Sequence, residues 1–461
     1  MRNMICRISG TLVFPEGLMP GEESKSNKLT IARNGQGKPL LRGTALAGAL
    51  RSRFVDGDAK TWFGESLDGE EDTKESRVQV VDSLLDASDD SITSRMHHLR
   101  IRHNGVTGKG ALFSVEHLPP GTTCPLLLYV NMCGISIDKA EDFLQKLASF
   151  LATELTLGGS RSRGLGRVKC KDNCLTLHRY DLSHTDGYIA WTDARYLDRR
   201  GLSLSGGEKL EVKANTKTQT LTLTLSLSIP RGEDFLIAED QNMQPQKTKA
   251  ADGQSYWRIP GASLRGLLRS WMTRLAVRQA LNEGKEPSIR DSQKRWDDSF
   301  EDPKTYKPDM IGWGFFEKEE HKYYQEHPGD LFDPILDLFG SFYKQGRLHI
   351  TDALSSRPID QERDIQERTH VAIDRFSGGA NEGALFTNQV LIASDLHFST
   401  TITITQPQPD EVAWLIQTLR ALHVGIITIG SSKSAGRLEI RGIEAKGKLK
   451  DKFVTFAEEI N

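Results

Sequence analysis

Glycine and arginine recur together in the stretch IPGASLRGLLRSWMTRL, residues 259–275. Its apolar residues follow the i, i+3, i+4 spacing of one buried helical stripe, which predicts that Arg265, Arg269 and Arg274 face outward. Helix N-terminal N–H groups and guanidinium groups both bind phosphate. Gly266 inside the helix costs about 0.5–1 kcal/mol relative to Ala, so we expect another backbone to approach there. The stretch predicts either a phosphate-binding helix or a core helix with a solvated basic face.

A second copy of this pattern lies at residues 41–54, LRGTALAGALRSRF. With a constant offset, Gly43 and Arg51 align with Gly261 and Arg269. Three further segments recur in the same order along the chain. They pair 62–84 with 338–354, 101–113 with 373–386, and 157–168 with 429–440. Four pairs in register indicate an internal duplication.

The duplication predicts a first domain at 1–178 and a second at 217–450, with a linker at 179–216 and a C-terminal tail at 451–461. At 461 residues, the chain gives each half enough length for its own core. The second repeat also carries a charged, aromatic insertion at about 281–335. We expect this insertion to be either a contact surface for a partner or a mobile segment.

Both repeats present the same order of predicted strands and helices. A strand of alternating or apolar residues opens each repeat, and a later strand, a helix and a glycine-rich turn close it. This order is typical of an α+β fold, with two tandem ferredoxin-like or RRM-like sheets covered by helices on one face. The predicted strands are 4–14, 124–132, 220–230 and 398–406, and the predicted helices that follow the later strands are 136–154 and 408–423.

The charged residues are segregated although the formal net charge is only −2. Residues 158–171, GGSRSRGLGRVKCK, are basic without an acid, and residues 95–103 combine arginine with histidine. Basic surfaces on an otherwise acidic body are compatible with nucleic acid, although solvated faces have the same composition. Neither a signal peptide nor an apolar run of membrane length is present, so we expect a cytoplasmic protein without a membrane partner.

The five cysteines do not predict a zinc site. Cys170, Cys174 and His178 are spaced by four residues, but they fall in a predicted strand and turn, where this spacing does not bring side chains together. The metal ligands, if there are any, stay unknown at this stage. Trp62 and Trp257 lie on apolar stripes, as Trp271 does, and are predicted to be core residues.

Several motifs together resemble the RAMP superfamily, especially the repeated, Cas-seven-type backbone subunits of type III CRISPR effector complexes. They are IPGASLRGLLRS, LFGS followed by GRLHITDA, HVAIDRFSGGANEGALF, and the late glycine-rich turn. Two such domains in one chain are similar to the fused subunits of subtype III-D. The first repeat departs from the pattern, with Leu-Arg-Gly for Ile-Pro-Gly and His103-Asn104 for Asp374-Arg375.

The resemblance implies a protein that binds a guide RNA (crRNA), pairs it with a complementary target RNA and assembles with other RAMP and CRISPR type III subunits in antiviral defence. The glycine-flanked helix and the glycine-rich turn would hold the RNA backbone along an RRM-like sheet. The segments 101–113 and 373–386 would form thumbs that wedge the guide–target duplex. Sequence would be read by base pairing of the guide and not by the protein.

The resemblance and the basic clusters together select a set of RNA-binding candidates. Glycines in the turns are also explained by helix C-terminal caps, and Arg375 by an ion pair with Asp374. The turn at 158–167 lacks the Gly-Lys-Ser/Thr of a Walker loop. The candidates are Arg51, Arg100, Arg102, Gly158, Gly159, Ser160, Arg161, Arg163, Arg167, Arg258, Gly261, Ser263, Arg265, Arg269, Arg375, Gly430, Ser431, Ser432, Lys433 and Arg437.

Catalytic members of the superfamily place an aspartate in the loop between the first strand and the helix, where it promotes attack of the target RNA's own 2′-hydroxyl, usually with a divalent metal. A carboxylate suits a hard cation such as Mg²⁺ or Mn²⁺. The first repeat has no aspartate near residues 26–28 and is predicted to be inert. The second repeat offers Asp240, with Asp234 and Asp252 as weaker candidates, and Asp252 is also explained as a turn residue before Gly253.

Three function classes follow. The first is a tandem guide-RNA-binding subunit that only scaffolds the complex, and the second is the same subunit acting as a metal-dependent endoribonuclease on the target RNA. The third is a metal-independent nuclease for guide-precursor RNA, which typically uses a catalytic histidine and carries a single glycine-rich turn. Two complete repeats, each with its own turn, argue against the third class. If the resemblance were mistaken, a function without nucleic acid would remain.

Overall fold

The computed structural model describes residues 3–21, 28–54, 56–65, 74–88, 92, 95–98, 113–153, 155–159, 164–171, 174–211, 220–238, 243–250, 252–283, 334–340, 345–374, 376–430 and 436–460. The chain forms two compact units. Unit 1 consists of Met1–Arg95, Glu116–Arg161 and Leu165–Lys217, and unit 2 consists of Met96–Val115, Ser162–Gly164 and Thr218–Asn461.

The first half of the chain supplies short and long strands and a set of helices. The strands are β1 (Met4–Phe14), β2 (Lys28–Leu29), β3 (Leu40–Leu41), β4 (Val78–Val80), β5 (Ser83–Leu84), β6 (Arg95–His98), β7 (Phe113–Glu116), β8 (Thr122–Asn131), β9 (Lys169–Cys170), β10 (Cys174–Asp181) and β11 (Glu208–Glu211). The helices are α1 (Gly43–Arg51), α2 (Asp56–Phe63), α3 (Ile137–Thr153) and α4 (Thr185–Arg199).

The main sheet of unit 1 is antiparallel, with strand order β11-β10-β1-β8-β4, and β9 also pairs with β1. The central strand β1 pairs with β8 along its length, from Ile5 opposite Asn131 to Phe14 opposite Thr122. Helices α1 and α2 lie between β1 and β4 in sequence, and α3 lies between β8 and β9. The chain therefore runs strand, helix, strand, strand, helix, strand, with the first strand in the middle.

The second half of the chain repeats this plan. Its strands are β12 (Thr220–Ser228), β13 (Lys247–Lys249), β14 (Ser255–Ile259), β15 (Leu348–Ile350), β16 (Ala353–Ser355), β17 (Ile365–Ile373), β18 (Ala380–Leu391), β19 (His397–Thr405) and β20 (Glu439–Gly447). Its helices are α5 (Gly261–Asn282), α6 (Pro334–Phe339), α7 (Gln361–Asp364), α8 (Pro409–His423) and α9 (Val454–Ile460), with a 3₁₀ turn at Lys450–Phe453 before α9.

The main sheet of unit 2 is antiparallel with order β13-β14-β16-β19-β12-β20, and β15 also pairs with β19. Strand β12, TLTLTLSLS, shows why the sheet has a single apolar face. Its four leucines are buried, whereas the threonines between them are half-buried. This period-two pattern confirms the strand predicted from the sequence. The molecule is thus a mixed α+β protein with two separate antiparallel main sheets, as predicted.

Helices cover the apolar face of each sheet. In unit 1, Phe143 and Leu147 of α3 belong to a core that includes Ile8 and Leu12 of β1.

In unit 2, α8 begins with Pro409 and a capping box between Gln408 and Glu411. Burial raises the pKa of Glu411, although its ion pair with Arg347 lowers it. This buried pair fixes the start of α8 beside the end of β19, because Arg347 also donates to the Thr405 carbonyl at 3.0 Å.

Residues 179–216, expected to be a linker, contain the end of β10, all of α4 and β11. Helix α4 lies on the face of the unit 1 sheet that α3 does not cover. Asp198 accepts hydrogen bonds from Arg7 at 2.6 Å and from the Tyr129 hydroxyl at 2.5 Å. Trp191 packs edge-on against the Tyr129 ring at 5.1 Å. Buried partners on the sheet therefore hold this segment within unit 1.

The C-terminal residues 451–461, expected to be a tail, include most of the 3₁₀ turn and α9. Phe453 and Phe456 are each 1 % exposed and belong to the core of unit 2. Arg420 of α8 also pairs with Glu459. These apolar side chains make the segment part of the domain core. Among the described residues, no helix is both long and apolar enough to cross a membrane.

Candidate nucleic-acid interface

The glycine that opens each glycine-flanked helix lies against a strand. A Cβ atom on Gly43 would lie 2.2 Å from the Val80 carbonyl oxygen, and one on Gly261 would lie 2.8 Å from that of Ile350. Only glycine permits this approach without a shift of the backbone. The close contact therefore accounts for both glycines without RNA.

The amide of each of these glycines already has an acceptor. Gly43 donates to Asp82 Oδ1 at 2.7 Å, and Gly261 donates to Asp352 Oδ1 at 2.7 Å. The sequence pairs these aspartates at the ends of equivalent segments, and the structure explains the pairing. A carboxylate thus occupies the position in which a phosphate was expected to bind at Gly261.

The arginines around α5 are more buried than predicted. Arg258 is 5 % exposed and donates to Asp352 and Gln246, so it is a structural residue in this conformation. Arg265 donates to the Phe339 carbonyl at the end of α6. The buried stripe consists of positions 264, 268, 272 and 276, so positions 265 and 269 flank it. The expectation that Arg265 and Arg269 face outward is therefore corrected to partial burial.

Four other positions on the two helices, each with an expectation from sequence analysis, differ in exposure. Arg51 in the last turn of α1 and Arg274 on α5 are exposed, which agrees with a basic outer face. Ser263 is half-buried in the first turn of α5. Gly266 is exposed, and no described atom lies within 4 Å of a Cβ placed there. No described backbone approaches Gly266, so the space beside it is open to a ligand.

The glycine-rich turns have the same base in both units. Leu157 donates to the Gly166 carbonyl at 2.7 Å, and Ile429 donates to the Gly436 carbonyl at 2.8 Å. Gly158 follows the first of these residues and Gly430 follows the second. The Gly159 amide donates to the Met19 carbonyl at 2.9 Å, so this amide is also taken. The predicted residues at the tips of the turns, Ser160, Arg161, Arg163, Ser431, Ser432 and Lys433, lie outside the described residues.

An acid from the loop after the first strand pairs with the arginine that ends each turn. Arg167 lies 3.8 Å from Glu16, and Arg437 lies 2.9 Å from Glu233. Burial raises the pKa of Glu16, although Arg167 lowers it. Sequence analysis missed both acids. The signal was present, because PEGL and GEDFL place a glutamate at equivalent points of the two repeats.

The next two residues of this loop attach the β17–β18 hairpin. Asp234 accepts two hydrogen bonds from Arg368 of β17, at 2.8 and 2.9 Å. Phe235 exchanges backbone hydrogen bonds with Leu391 of β18, at 2.9 and 2.8 Å, and also bridges to Gly436 of the turn. Asp234, a weaker catalytic candidate in the sequence, thus has a guanidinium on both oxygens. No sequence signal indicated Arg368, because the pairing depends on the register of the hairpin.

The β17–β18 hairpin is the segment whose resemblance implied a thumb. Ile373 is 64 % exposed, Leu385 is 69 % exposed, and Phe376 at the tip is fully exposed. Asp374 Oδ1 accepts from the amides of Phe376 and Ser377, and these bonds lower the pKa of Asp374. Hydrogen bonds to Asp374 therefore hold the backbone of Phe376 and Ser377 beside these exposed apolar side chains. Arg375 lies outside the described residues, as do Arg100, Arg102 and most of the equivalent segment at 101–113.

Two further catalytic candidates of the loop are Asp240 and Asp252. Asp240 lies outside the described residues. Asp252 accepts from the Gln254 amide at 2.9 Å and from the Tyr256 hydroxyl at 2.7 Å. Its role as a turn residue before Gly253 is confirmed.

No group of three His, Cys, Asp or Glu side chains within the described part of the chain is arranged to hold a metal ion. In the loop after β12, Glu233 and Asp234 are each paired with an arginine, so these acids do not provide a ligand set for Mg²⁺ or Mn²⁺. Burial raises the pKa of the Cys6 thiol to about 11 and that of Cys124 to about 12. Both thiols are therefore protonated at neutral pH and are poor metal ligands.

Two of the tryptophans predicted to be core residues are buried. Trp62 is 3 % exposed and Trp257 is 2 % exposed, which confirms the prediction for these two. The indole N–H of Trp257 donates to the buried carboxylate of Asp364 at 2.8 Å. Trp271 is half-buried and lies beside the guanidinium of Arg274.

Comparison with models of known protein families gives a match for this chain. The model of the RAMP superfamily matches residues 9–169 and 241–439. The two matched segments cover most of both repeats, including the glycine-flanked helices and the glycine-rich turns. No individual curated protein matches the chain.

Proposed function

Because the chain belongs to the RAMP superfamily of CRISPR-associated RNA-binding proteins, we propose that it is a tandem guide-RNA-binding backbone subunit of a type III effector complex. Its partners in this proposal are the crRNA, a complementary target RNA and other RAMP subunits. The assignment to type III, and to a III-D-like arrangement, rests on the resemblance of the motifs and on the presence of two repeats in one chain.

The strand order supports two ferredoxin-like domains. In unit 1 the order β10-β1-β8-β4 places the fourth, first, third and second strands of the repeat side by side. In unit 2 the order β20-β12-β19-β16 is the same. Both helices of each repeat connect strands that are not neighbours in the sheet, as the split βαβ arrangement requires.

One observation carries the proposal. In unit 2, three consecutive residues, 233 to 235, contact both the glycine-rich turn and the β17–β18 hairpin. The resemblance assigns these two elements to the RNA backbone and to the guide–target duplex. An RNA strand at this loop would meet both elements at once.

The described charges indicate where phosphates would bind. Arg368 and Arg437 are each paired with an acid, so they are not open cations in the free protein. The turn tips at 160–163 and 431–435 carry the remaining basic residues of the two motifs. We assign phosphate binding to these tips and to the exposed arginines of the two helices, with backbone contacts that do not read sequence.

The proposal is tested with the purified chain and a labelled single-stranded RNA. We expect binding that weakens steeply with salt, because each neutralised phosphate contributes about one unit to the slope of log K against log salt. The variant Arg161→Ala/Arg163→Ala should bind more weakly and reduce that slope. A matched two-charge control at exposed positions, Lys446→Ala at the end of β20 and Lys448→Ala just after it, should leave the slope unaltered. An equal slope in the wild type and the Arg161→Ala/Arg163→Ala variant would refute the assignment of the turn.

Cleavage of the bound target RNA is the second part of the proposal, and it depends on Asp240. The carboxylate would take the proton of the target 2′-hydroxyl as its oxygen attacks the neighbouring phosphorus and the 5′-oxygen leaves. The resemblance implies Mg²⁺ or Mn²⁺ at such a site. The described acids of the loop do not fit such an ion, since Asp234 is held by Arg368.

A further inference from the structure

The ion pair between Asp234 and Arg368 joins the loop after β12 to the β17–β18 hairpin. Strands β17 and β18 form a separate two-stranded sheet and do not extend the main sheet of unit 2. We propose that this ion pair is a positioning latch, which fixes the hairpin relative to the glycine-rich turn so that one RNA strand can contact both. The inference rests on the proposed function, because it concerns how the RNA-binding elements are held.

The geometry of the pair supports this role. The guanidinium of Arg368 uses Nε and one terminal nitrogen on the two oxygens of Asp234, which is the bidentate arrangement that fixes orientation as well as distance. Beside it, Glu233 pairs with Arg437 of the turn, and Phe235 bonds to the backbone of β18. Adjacent side chains of one loop thus point to two different elements.

The base of the hairpin is also attached to the core of unit 2 at Asp364. Asp364 is fully buried and accepts from Arg357 and from the Trp257 indole N–H, and its carbonyl accepts from the Ile392 amide at 2.9 Å. These hydrogen bonds of Asp364 hold the two ends of the hairpin against the core of unit 2. Arg368 lies three residues beyond Ile365, the first residue of β17, towards the exposed tip. The ion pair therefore restrains rotation of the hairpin about its buried base.

The first repeat lacks this restraint at the equivalent position. Glu16 and Leu18 match Glu233 and Phe235, because Glu16 pairs with Arg167 and Leu18 bridges to Leu118. The residue between them is Gly17, which has a positive φ of 89°. A Cβ atom there would lie 2.4 Å from the Leu118 carbonyl oxygen, so no side chain fits. The loop of the first repeat therefore has no counterpart of the Asp234 side chain at this position.

If the pair acts as a latch, loss of the Asp234 charge should change RNA affinity in the direction opposite to that expected from electrostatics alone. Removing the negative charge of Asp234 would release Arg368, and an additional free cation should strengthen the binding of a phosphate backbone. If the pair positions the hairpin, removing the charge should instead weaken RNA binding. The sign of the change therefore separates the two explanations.

The experiment compares Asp234→Asn and the charge exchange Asp234→Arg/Arg368→Asp with the wild type. Affinity for a fluorescein-labelled single-stranded RNA is measured by anisotropy, and amide hydrogen exchange of residues 365–391 is measured without RNA. Asp234→Asn should weaken binding about threefold to tenfold and speed exchange in the hairpin, and the charge exchange should restore both. The control is Glu459→Gln, which opens the bidentate and similarly exposed pair with Arg420.

Each outcome decides the inference. Unchanged or stronger RNA binding by Asp234→Asn, with exchange in the hairpin unaltered, would overturn the latch. An equal loss of affinity in the Glu459→Gln control would also overturn it, because the effect would then be general destabilisation. If the wild type bound no RNA, the proposed function would fail, and hydrogen exchange alone would decide whether the pair holds the hairpin.

Discussion

The backbone N–H of Gly261 donates to the carboxylate of Asp352 at 2.7 Å, and the other oxygen of that carboxylate accepts from the buried guanidinium of Arg258 at 3.2 Å. One aspartate at the end of a strand thereby fixes the first turn of α5 and neutralises a buried cation. The equivalent aspartate of the first repeat, Asp82, caps Gly43 at the same distance of 2.7 Å.

Asp352→Ala should destabilise unit 2 by about 1–3 kcal/mol, because it leaves the Gly261 N–H without its acceptor and the buried guanidinium of Arg258 without its counter-charge. Asp82→Ala removes only a helix cap and should cost about 0.5–2 kcal/mol. Urea denaturation of both variants measures the difference. A smaller loss for Asp352→Ala than for Asp82→Ala would show that Arg258 does not depend on Asp352.

Gly266→Ala should stabilise α5, because alanine is preferred over glycine in a helix by about 0.5–1 kcal/mol and no described atom lies within 4 Å of the new methyl group. If an RNA backbone approaches this glycine, the same methyl group should weaken RNA binding. We therefore expect a higher thermal midpoint together with a lower RNA affinity. Ser270→Ala, at another exposed position of the helix, should leave the affinity unchanged. Normal affinity in Gly266→Ala would place the RNA elsewhere.

Asp240→Ala in the assembled complex should abolish one class of cuts in a complementary RNA while RNA binding is kept. The physical reason is that alanine has no oxygen to take the proton of the attacking 2′-hydroxyl. Gel mapping of the cut positions is the measurement, with Asp252→Ala as the matched control because Asp252 is a turn residue. Persistence of every cut at full rate would leave this chain as a scaffold.

Asp198→Asn should loosen α4 from the sheet of unit 1. Burial raises the pKa of Asp198, but hydrogen bonds from Arg7 and Tyr129 outweigh it, so the net pKa lies below the usual range. A carboxyl with a lowered folded-state pKa contributes stability that is present above its unfolded pKa of about 3.9 and is lost as the pH falls through the folded value.

The side chains of Arg7 and Asp198 are 7 % and 6 % exposed, and opening such a buried ion pair costs about 3 kcal/mol. Thermal unfolding at pH 7 should therefore show a lower midpoint for Asp198→Asn than for the wild type. The difference should begin to shrink below about pH 4, because the carboxyl then takes up a proton in the unfolded state. It should be lost once the pH falls below the lowered folded-state pKa of Asp198. A difference independent of pH would contradict the assignment to the charge of Asp198.

Periodicity and duplication were sufficient to predict the main strands and helices. The predicted strand 4–14 is β1, and the predicted helix 408–423 differs from α8 by one residue at its start. These elements obey a single pattern along their whole length, and each has a counterpart in the other repeat. The role of residues 179–216 was not predictable in the same way, because α4 is positioned by Asp198 and its partners on a distant strand.

The candidate site was predictable only in its elements. Glycine spacing located the helix starts and the turns, since backbone conformation is encoded locally. Asp352 accepts a hydrogen bond from the amide at the helix start, and Glu233 accepts one from the arginine of the turn. Both acids come from segments far away in the sequence, so only the fold shows that they lie beside these donors. Similarly, Arg265 could not be told from a surface residue before α6 was known to lie beside it.

Gly17 also bears on how the two repeats could have diverged. A single base change converts a glycine codon into an aspartate codon, so mutation alone could readily introduce an acid at this position. The close carbonyl of Leu118 and the positive φ of Gly17 oppose the change, since the backbone would have to move first. Introducing the acid would then require coordinated substitutions around Gly17, so selection on single mutations would not readily remove this difference between the repeats.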